Sequence, residues 1–265
     1  MKEKKKTSNF KFIRIVILLF ILASVWNHFN TQKKVVTNWL GTQDVVITPI
    51  NVDQLSSTAD GIAALSASQF KEINAYLSEQ SQIYGLNLKH SIKIRLGKPI
   101  DQIPPALPKR GASKWDIAWW SLQLRWWAWK NKTEDSHSTQ INLYMMYSSP
   151  KPRELLPHST GLQKGLIGLI HLSALPVDQR RNNMIITHEL LHIFGATDKY
   201  ELATGRPIFP VGYAEPDEKN PHPQRRAEIM AGRIPINEIK FARVERLKQT
   251  VIGKKTAEEI GWTGM

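Results

Sequence analysis

One stretch of eleven residues limits what this chain can fold into more than any other part of the sequence. Residues 188–198 read H-E-x-x-H-x-x-G-x-x-D. Positions four apart lie on one face of a helix, so His188 and His192 can hold an ion between their imidazoles. Glu189 projects beside them, within reach of a water at that ion. The pattern predicts a metal-binding helix, for which Asn183 is a suitable N-cap.

The residues after this helix supply a third ligand. Gly195 lies where the helix should end, because glycine readily adopts the left-handed conformation found there. The chain can then reverse and return Asp198 to the ion. Three protein ligands leave one position open, as in catalytic zinc sites, whereas structural sites close all four. We therefore expect one catalytic Zn²⁺ held by His188, His192 and Asp198, with Glu189 as general base.

Other readings of the same residues are a buried helix with two hydrogen-bonded histidines, and a structural or vestigial metal site. Glu189 argues against both, because a carboxylate on an apolar helix is costly without a cation or a catalytic task. The third ligand has alternatives as well. Glu215 or Glu228 could replace Asp198, and His222 is a further candidate within a proline-rich loop. The spacing from Gly195 favours Asp198.

The motif resembles the signature of the metzincin clan of zinc metallopeptidases, H-E-x-x-H-x-x-G-x-x-H/D. Members of that clan also carry a Met-turn, a tight turn whose methionine forms an apolar floor beneath the metal. Residues 228–232 read E-I-M-A-G, so the resemblance makes Met230 the floor residue. The alternative for Met230 is ordinary core filling. The similarity covers about residues 166–248 and implies a zincin-like fold with peptidase activity.

This chain departs from the clan in one respect that concerns catalysis. Many metzincins place a tyrosine two residues after the methionine, where it helps to stabilise the oxyanion. Gly232 occupies that position here, so the role is vacant or filled by another group. Tyr200 and Tyr213 are the candidate donors, and each also has an ordinary structural role in a loop as its alternative.

Net charge and cysteine content exclude several classes of function. The charge of +13 is concentrated in part within the first fourteen residues, and no arginine-rich stripe with interleaved aromatic residues follows. We therefore expect no nucleic-acid partner. The chain has no cysteine. Disulfides, a cysteine nucleophile and thiolate zinc ligands are excluded.

The basic N-terminus precedes an apolar run, Ile15 to Trp26, which is typical of an export signal. Counting from Phe10 to Phe29 gives about twenty residues, enough for a transmembrane helix. We predict a cytoplasmic tip and uncleaved signal-anchor over residues 1–29, a stalk over 30–43 and a catalytic domain over 44–265. A cleaved signal peptide is the alternative. Either arrangement places the catalytic domain outside the cytoplasm, in the periplasm if the source is bacterial.

Hydrophobic patterning predicts the remaining elements and an α/β sandwich, in which helices pack on a twisted mixed sheet. We expect Pro49 to mark an edge or bend. The resemblance implies that the strand nearest the metal helix is an edge that pairs with extended substrate. Strand 166–172 suits that role, with His171 as a sheet residue rather than a ligand. The predicted strands are 45–52, 91–96, 139–147 and 166–172, and the predicted helices outside the metal site are 66–84, one from Ser113, and 237–251.

The helix from Ser113 contains six of the nine tryptophans. Its longest apolar stripe at helical spacing is predicted to pack on the sheet. Trp120 and Trp127 lie off that stripe and would be available to a membrane interface or a partner. The stripe consists of Trp115, Trp119, Leu122, Trp126 and Trp129.

These features favour a membrane-anchored zinc endopeptidase that hydrolyses peptide bonds of protein or peptide substrates. One alternative is a catalytically idle metal-binding module that docks a partner through its tryptophan-rich helix. Another is a zinc amidase that acts on cell-wall peptides. The excess of basic residues favours acidic substrates modestly through electrostatic steering.

Overall fold

The fold is built on one five-stranded sheet with the strand order β2-β1-β3-β5-β4. The computed structural model describes residues 11–20, 23, 27, 36–39, 41–88, 92–109, 111–132, 140–150 and 156–263. Four strands are parallel and the short β4 is antiparallel to β5. The predicted mixed α/β class is confirmed. The strands are β1 Gln43–Asn51, β2 Ile92–Leu96, β3 Ile141–Ser148, β4 Thr160–Leu162 and β5 Ile167–Ser173.

Five helices lie among the described residues outside the N-terminal segment. Two helices predicted from the sequence are preceded by capping boxes, at Ser66 before α2 and at Ser113 before α3. Each satisfies backbone N–H groups that the first helical turn leaves without partners. The helices are α1 Ser56–Ala63, α2 Lys71–Ile83, α3 Lys114–Lys130, α4 Gln179–Phe194 and α5 Lys254–Glu259.

Both faces of the sheet are covered, as parallel sheets require. Alternate side chains of β3 show this directly. Leu143 and Met145 lie in a core cluster with residues of α2 and α4. Tyr144 and Met146 lie in a second cluster with residues of α3. The molecule therefore has three layers, with the metal helix α4 on the face opposite α3.

The predicted orientation of α3 is wrong. Trp120, Leu124 and Trp127 are the buried residues that pack on the sheet. The stripe expected in the core is exposed instead, with Trp115 at 85% and Trp129 at 66% exposure. Both stripes are apolar, so periodicity could not choose between them. The buried stripe ends in Ala128, a small residue that permits close approach of the helix to Tyr144, whose hydroxyl donates to the Ala128 carbonyl over 3.3 Å.

The edge strand beside the metal helix also differs from the expectation. Strand 166–172 corresponds to β5, which pairs with β3 on one side and β4 on the other. The edge is therefore β4, which lies outside the predicted strands. A side chain at Gly161 of β4 would collide with the Glu189 carbonyl oxygen of α4. Glycine allows the edge strand to lie directly against the metal helix.

Two expectations about the beginning of the domain need correction. The predicted stalk over 30–43 includes buried residues, since Trp39 donates from Nε1 to the Ile260 carbonyl over 2.7 Å and packs on Phe194. The domain therefore begins before residue 44. Pro49 lies in β1, an internal strand, and not at an edge. Proline has no N–H group to donate to a neighbouring strand. It is tolerated here because the Pro49 backbone faces β2 at a point beyond Leu96, the last β2 residue that pairs with β1.

The C-terminal helix predicted over 237–251 is wrong as well. The Asn237 side chain accepts hydrogen bonds from the backbone N–H groups of Ile239 and Lys240, which makes a tight turn. A short hairpin forms around this turn, and the helix α5 begins only at Lys254. Local side-chain bonding thus overrides the apolar spacing. The small strands here are β6 Ala227–Glu228, β7 Arg233–Pro235, β8 Phe241–Arg243 and β9 Thr250–Val251.

The predicted membrane anchor, Phe10 to Phe29, lies partly outside the described residues. Residues 11–20 of it are helical and exposed. Among the residues that the structure describes, no helix has both the length and the apolar character needed to cross a membrane.

Candidate metal centre

Helix α4 presents the first two candidate ligands. It begins at Gln179, one turn earlier than expected, after a 3-10 turn opened by Pro176. Asn183 is therefore not the N-cap but a buried residue, whose Nδ2 donates to the Gln69 carbonyl over 2.9 Å. Its neighbour Asn182 donates to the Ser173 carbonyl of β5 over 2.8 Å. These amides fix the helix against the sheet and against the start of α2.

The predicted end of the helix is confirmed. Gly195 has φ of 110° and follows Phe194, the last helical residue. The Ala196 N–H donates back to the Leu191 carbonyl over 2.9 Å, as in a left-handed C-terminal cap. The chain reverses there and brings Asp198 back to the helix.

Three side chains converge where the sequence predicted a metal. The Asp198 Oδ1 atom lies 3.4 Å from His188 Nε2 and 3.2 Å from His192 Nε2. Two ligands at about 2.0–2.1 Å from a tetrahedral zinc ion are about 3.3 Å apart. Among the described residues, these three form the one group of metal-ligating side chains whose ligand atoms are close enough to share an ion. The two distances from Asp198 match that separation.

The outer nitrogens of both rings determine where the inner lone pairs point. His188 Nδ1 lies 2.9 Å from the Ile229 carbonyl oxygen, and His192 Nδ1 lies 2.8 Å from the Ala196 carbonyl oxygen. A carbonyl accepts only, so each Nδ1 carries a proton and each neutral ring directs a bare Nε2 inwards. Asp198 Oδ1 is buried there without a hydrogen bond of good geometry. Three lone pairs aimed at one point call for a cation.

The charges of the site perturb its own pKa values. Burial lowers the pKa of His188, but Asp198 and Glu189 outweigh that effect and raise it to about 9. Burial raises the pKa of Asp198, yet its contacts with His188 and His192 bring the pKa well below the ordinary value. In the absence of metal the cluster therefore binds a proton, which supplies the positive charge that a metal ion would otherwise supply.

Glu189 has the setting of a general base. Its side chain is almost fully buried, and burial raises its pKa even though His188 and His192 oppose the shift. Its Oε2 atom has no hydrogen-bond partner among the described residues and is inaccessible to bulk solvent. A base with a raised pKa can both take up and release a proton near neutral pH.

A tight turn forms at residues 228–232, where the sequence predicted the Met-turn. Met230 is fully buried, Gly232 has φ of 66°, and the Gly232 N–H donates to the Glu228 carbonyl over 3.0 Å. The Ile229 carbonyl in this turn is the one that holds His188. The Lys199 N–H, next to Asp198, donates to the Met230 carbonyl over 3.0 Å. The turn thus touches the backbone of the third ligand and the ring of the first.

A buried ion pair holds the loop that carries Asp198. Lys199 Nζ lies 2.6 Å from Glu259 Oε2, with the lysine side chain only 4% exposed. The same carboxylate accepts hydrogen bonds from the Thr197 N–H and hydroxyl over 2.8 and 2.9 Å. Helix α5 therefore positions the residues on both sides of Asp198.

His188 and Glu189 line a cleft of about 350 Å³. Tyr200 lines it, so this candidate oxyanion donor lies near the metal residues. Tyr213 does not line it; its hydroxyl contacts His222 Nε2 at 3.0 Å in a different pocket. His158 and His171 also border the cleft, and burial together with the charge of His158 lowers the pKa of His171.

The alternative ligands are engaged elsewhere. Glu215 accepts from Arg226 at 3.4 Å, and His222 contacts Tyr213. Glu228 is fully buried and accepts hydrogen bonds from the Met230 and Ala231 N–H groups over 2.6 and 3.1 Å. Burial raises the pKa of Glu228, although these donors and the Thr256 hydroxyl oppose the shift. Asp198 is the alternative that joins the two histidines.

Several residues of the cleft could not be found by sequence reasoning. His158 lies in a proline-containing loop without any motif, and Arg233 and Arg243 lie on strands that periodicity did not reveal. No protein-family model matches the chain, and comparison with curated proteins gives no match.

Proposed function

We propose that the chain is a zinc-dependent peptidase of metzincin type that cleaves peptide bonds outside the cytoplasm, tethered by its N-terminal apolar segment. One observation supports the hydrolase above all. His188 Nε2, His192 Nε2 and Asp198 Oδ1 converge on one point, with the Asp198 oxygen 3.4 and 3.2 Å from the two nitrogens, separations suited to tetrahedral zinc. The point lies at the wall of an open cleft, next to a buried carboxylate.

Each residue has a distinct task in this proposal. A bound zinc ion would supply Lewis acidity, which polarises the scissile carbonyl and lowers the pKa of water. His188, His192 and Asp198 hold the ion. Glu189 accepts a proton from the attacking water as the C–O bond forms, and then delivers that proton to the departing amine as the C–N bond breaks. Tyr200 is the nearer of the two proposed hydroxyl donors to the developing oxyanion.

The edge strand β4 gives this function a means of binding substrate. It is antiparallel to β5 and borders α4, so its outer edge can pair with an extended peptide. The resemblance assigned this role to residues 166–172. We now assign it to Thr160–Leu162.

The test combines metal content with turnover of the full-length protein. Elemental analysis should give one zinc per chain in the wild type and none in His192→Ala. Glu189→Gln should keep its zinc but lose peptide hydrolysis by about a thousand-fold, since general base catalysis contributes about 10²–10⁴-fold. Glu218→Gln, the same change at an exposed loop residue, is the matched control.

The outcomes separate the alternatives. Zinc binding without hydrolysis of a mixed peptide pool would favour the idle binding module. Turnover of cell-wall peptide amides but not of ordinary peptides would favour the amidase. Full activity in Glu189→Gln would refute the assignment of the general base.

A further inference from the structure

Three arginines surround the cleft on the side away from β4. Arg181 comes from α4, Arg233 from β7 and Arg243 from β8. Among the described residues that line the cleft, Glu189 is the one carboxylate, and its task is at the metal. The remaining wall is therefore strongly cationic.

The arrangement of two of these arginines is unfavourable without a ligand. Arg233 and Arg243 are direct cross-strand partners in the β7–β8 hairpin. Like charges directly opposite each other destabilise a strand pair. Within the described part of the chain, no carboxylate lies within 4.0 Å of either guanidinium, whereas Arg181 has Glu245 at 3.7 Å.

The Arg233 guanidinium also packs against the backbone at Gly205, where a Cβ atom would be only 2.7 Å from Nη2. The absence of a side chain at position 205 thus makes room for the guanidinium in its present position. A planar guanidinium can bind both oxygens of a carboxylate at once.

We propose that the substrates of this site are peptides with a carboxylate close to the scissile bond, which Arg233 and Arg243 bind together with Arg181. This inference rests on the proposed peptidase function. The carboxylate can be an acidic side chain or the free C-terminus of the peptide. Both present the same planar pair of oxygens to a guanidinium.

Binding to the zinc-loaded Glu189→Gln variant tests this inference without any need for turnover. The probes are fluorescent peptides that differ only in Glu or Gln at each position, with a free or amidated C-terminus. We expect the best acidic peptide to bind about ten-fold more tightly than its Gln counterpart, and Arg233→Gln or Arg243→Gln to abolish the preference. Arg225→Gln, at an exposed position outside the cleft, is the matched control and should retain it.

The peptide series identifies the source of the carboxylate. Preference for an internal Glu assigns a side chain, and preference for the free C-terminus assigns a terminal carboxylate. Equal binding of all peptides would overturn the inference while leaving the peptidase proposal intact. Absence of peptide hydrolysis by the zinc-loaded wild type would refute the peptidase proposal without touching the binding result.

The exposed face of α3 supports a second, independent inference. Four tryptophans and Leu122 form one continuous stripe on its outer side, which no described residue covers. Soluble surfaces rarely carry so large an apolar patch without a partner. The stripe tryptophans are Trp115, Trp119, Trp126 and Trp129.

The charges around this stripe indicate which partner it suits. Between Lys109 and Lys132 the sequence has six basic residues and one acidic residue, Asp116. Asp116 is committed to the capping box with Ser113. Lys130 Nζ lies 3.8 Å above the Trp126 ring, so its charge is placed at the level of the indoles. Indole rings flanked by lysine are typical of helices that lie in an anionic lipid interface.

We infer that the outer face of α3 lies in the headgroup layer of an anionic membrane. The N-terminal apolar segment would hold the domain close to that surface and raise the effective concentration of α3 there. The cleft, on α4, belongs to the opposite layer of the sandwich and would remain open to substrate.

The lack of native cysteine allows a clean test with the full-length chain. An environment-sensitive fluorophore is attached at Trp119→Cys, and at Val177→Cys as the control, because Val177 is also exposed but precedes α4. With phosphatidylglycerol vesicles that contain doxyl-labelled lipid, we expect quenching at position 119 and none at 177. Equal quenching in neutral phosphatidylcholine would overturn the anionic preference. Absence of quenching at 119 would overturn the inference, and energy transfer between labelled chains would then assign the face to a second copy.

Discussion

The ion pair between Lys199 and Glu259 offers the sharpest test of how the third ligand is positioned. Glu259→Gln removes the charge and one acceptor oxygen from a carboxylate that receives three short hydrogen bonds. The Lys199 ammonium then stays buried with only the Thr197 carbonyl and hydroxyl oxygens, at 2.8 and 2.7 Å. A buried cation without a counterion is unfavourable.

The structure gives the expected size of this effect. Breaking a buried pair by removal of one partner costs about 3–5 kcal/mol. Glu259 is 18% exposed, so water offsets part of the loss and we expect about 3 kcal/mol in the free energy of unfolding. The neighbouring Glu258 forms an exposed pair with Lys255 at 3.2 Å. The same substitution there should cost less than about 0.5 kcal/mol.

Urea denaturation of the metal-free protein measures both values, and competition with a chelator measures zinc affinity. Glu259→Gln should weaken zinc binding because the Asp198 loop loses its support, whereas Glu258→Gln should not. Lys199→Met combined with Glu259→Gln should recover much of the stability, since no unpaired charge remains. Equal loss of stability in Glu258→Gln and Glu259→Gln would refute the reasoning.

The pair also predicts a dependence on pH. Burial raises the pKa of Glu259, but Lys199 and Thr197 outweigh it and hold the pKa below its ordinary value of 4.5. A carboxylate with a lowered pKa in the folded state stabilises the fold above the unfolded pKa. That contribution is lost as the pH falls below 4.5 and through the folded pKa. It should be absent from Glu259→Gln.

Three further changes test other parts of the site. Gly161→Ala should lower the free energy of unfolding by about 1–3 kcal/mol and reduce turnover, because the new Cβ would collide with the α4 backbone. Gly41→Ala is the control in the same denaturation and kinetic assays, because the space around Gly41 is open. Glu228→Gln should cost about 3 kcal/mol in thermal or urea unfolding, because the new amide group would face backbone donors; an unchanged midpoint would contradict this. In the metal-free protein one imidazole resonance should titrate near pH 9 by NMR, from His188, and should vanish when zinc binds; titration of every histidine below pH 7 would argue against the cluster.

The local part of the metal site could be predicted from the sequence. The positions of His188, His192 and Gly195 follow from helical spacing and from the conformational freedom of glycine. Both are evident within the eleven residues of the motif. The capping boxes at Ser66 and Ser113 were predictable for the same reason. Each depends on contacts within one helical turn.

The errors arose where two patterns of similar strength competed. Helix α3 has apolar residues on two faces, and only the presence of Ala128 opposite Tyr144 in the fold favours one of them. Residues 237–251 have helical spacing, but Asn237 can bond to the backbone two and three residues ahead. A single sequence does not reveal which of these local energies prevails.

Other features depend on contacts between distant parts of the chain, which no window of sequence contains. Glu259 lies 60 residues from Lys199, and Glu228 lies 28 residues from Thr256, yet both pairs connect α5 to the metal centre. A helix of six residues is too short to be stable alone. It must therefore form together with the Asp198 loop and the Met230 turn, which makes docking of α5 and assembly of the third ligand parts of one folding event. The two histidines can be placed by α4 by itself, but the site becomes three-coordinate only when the far end of the chain is in position.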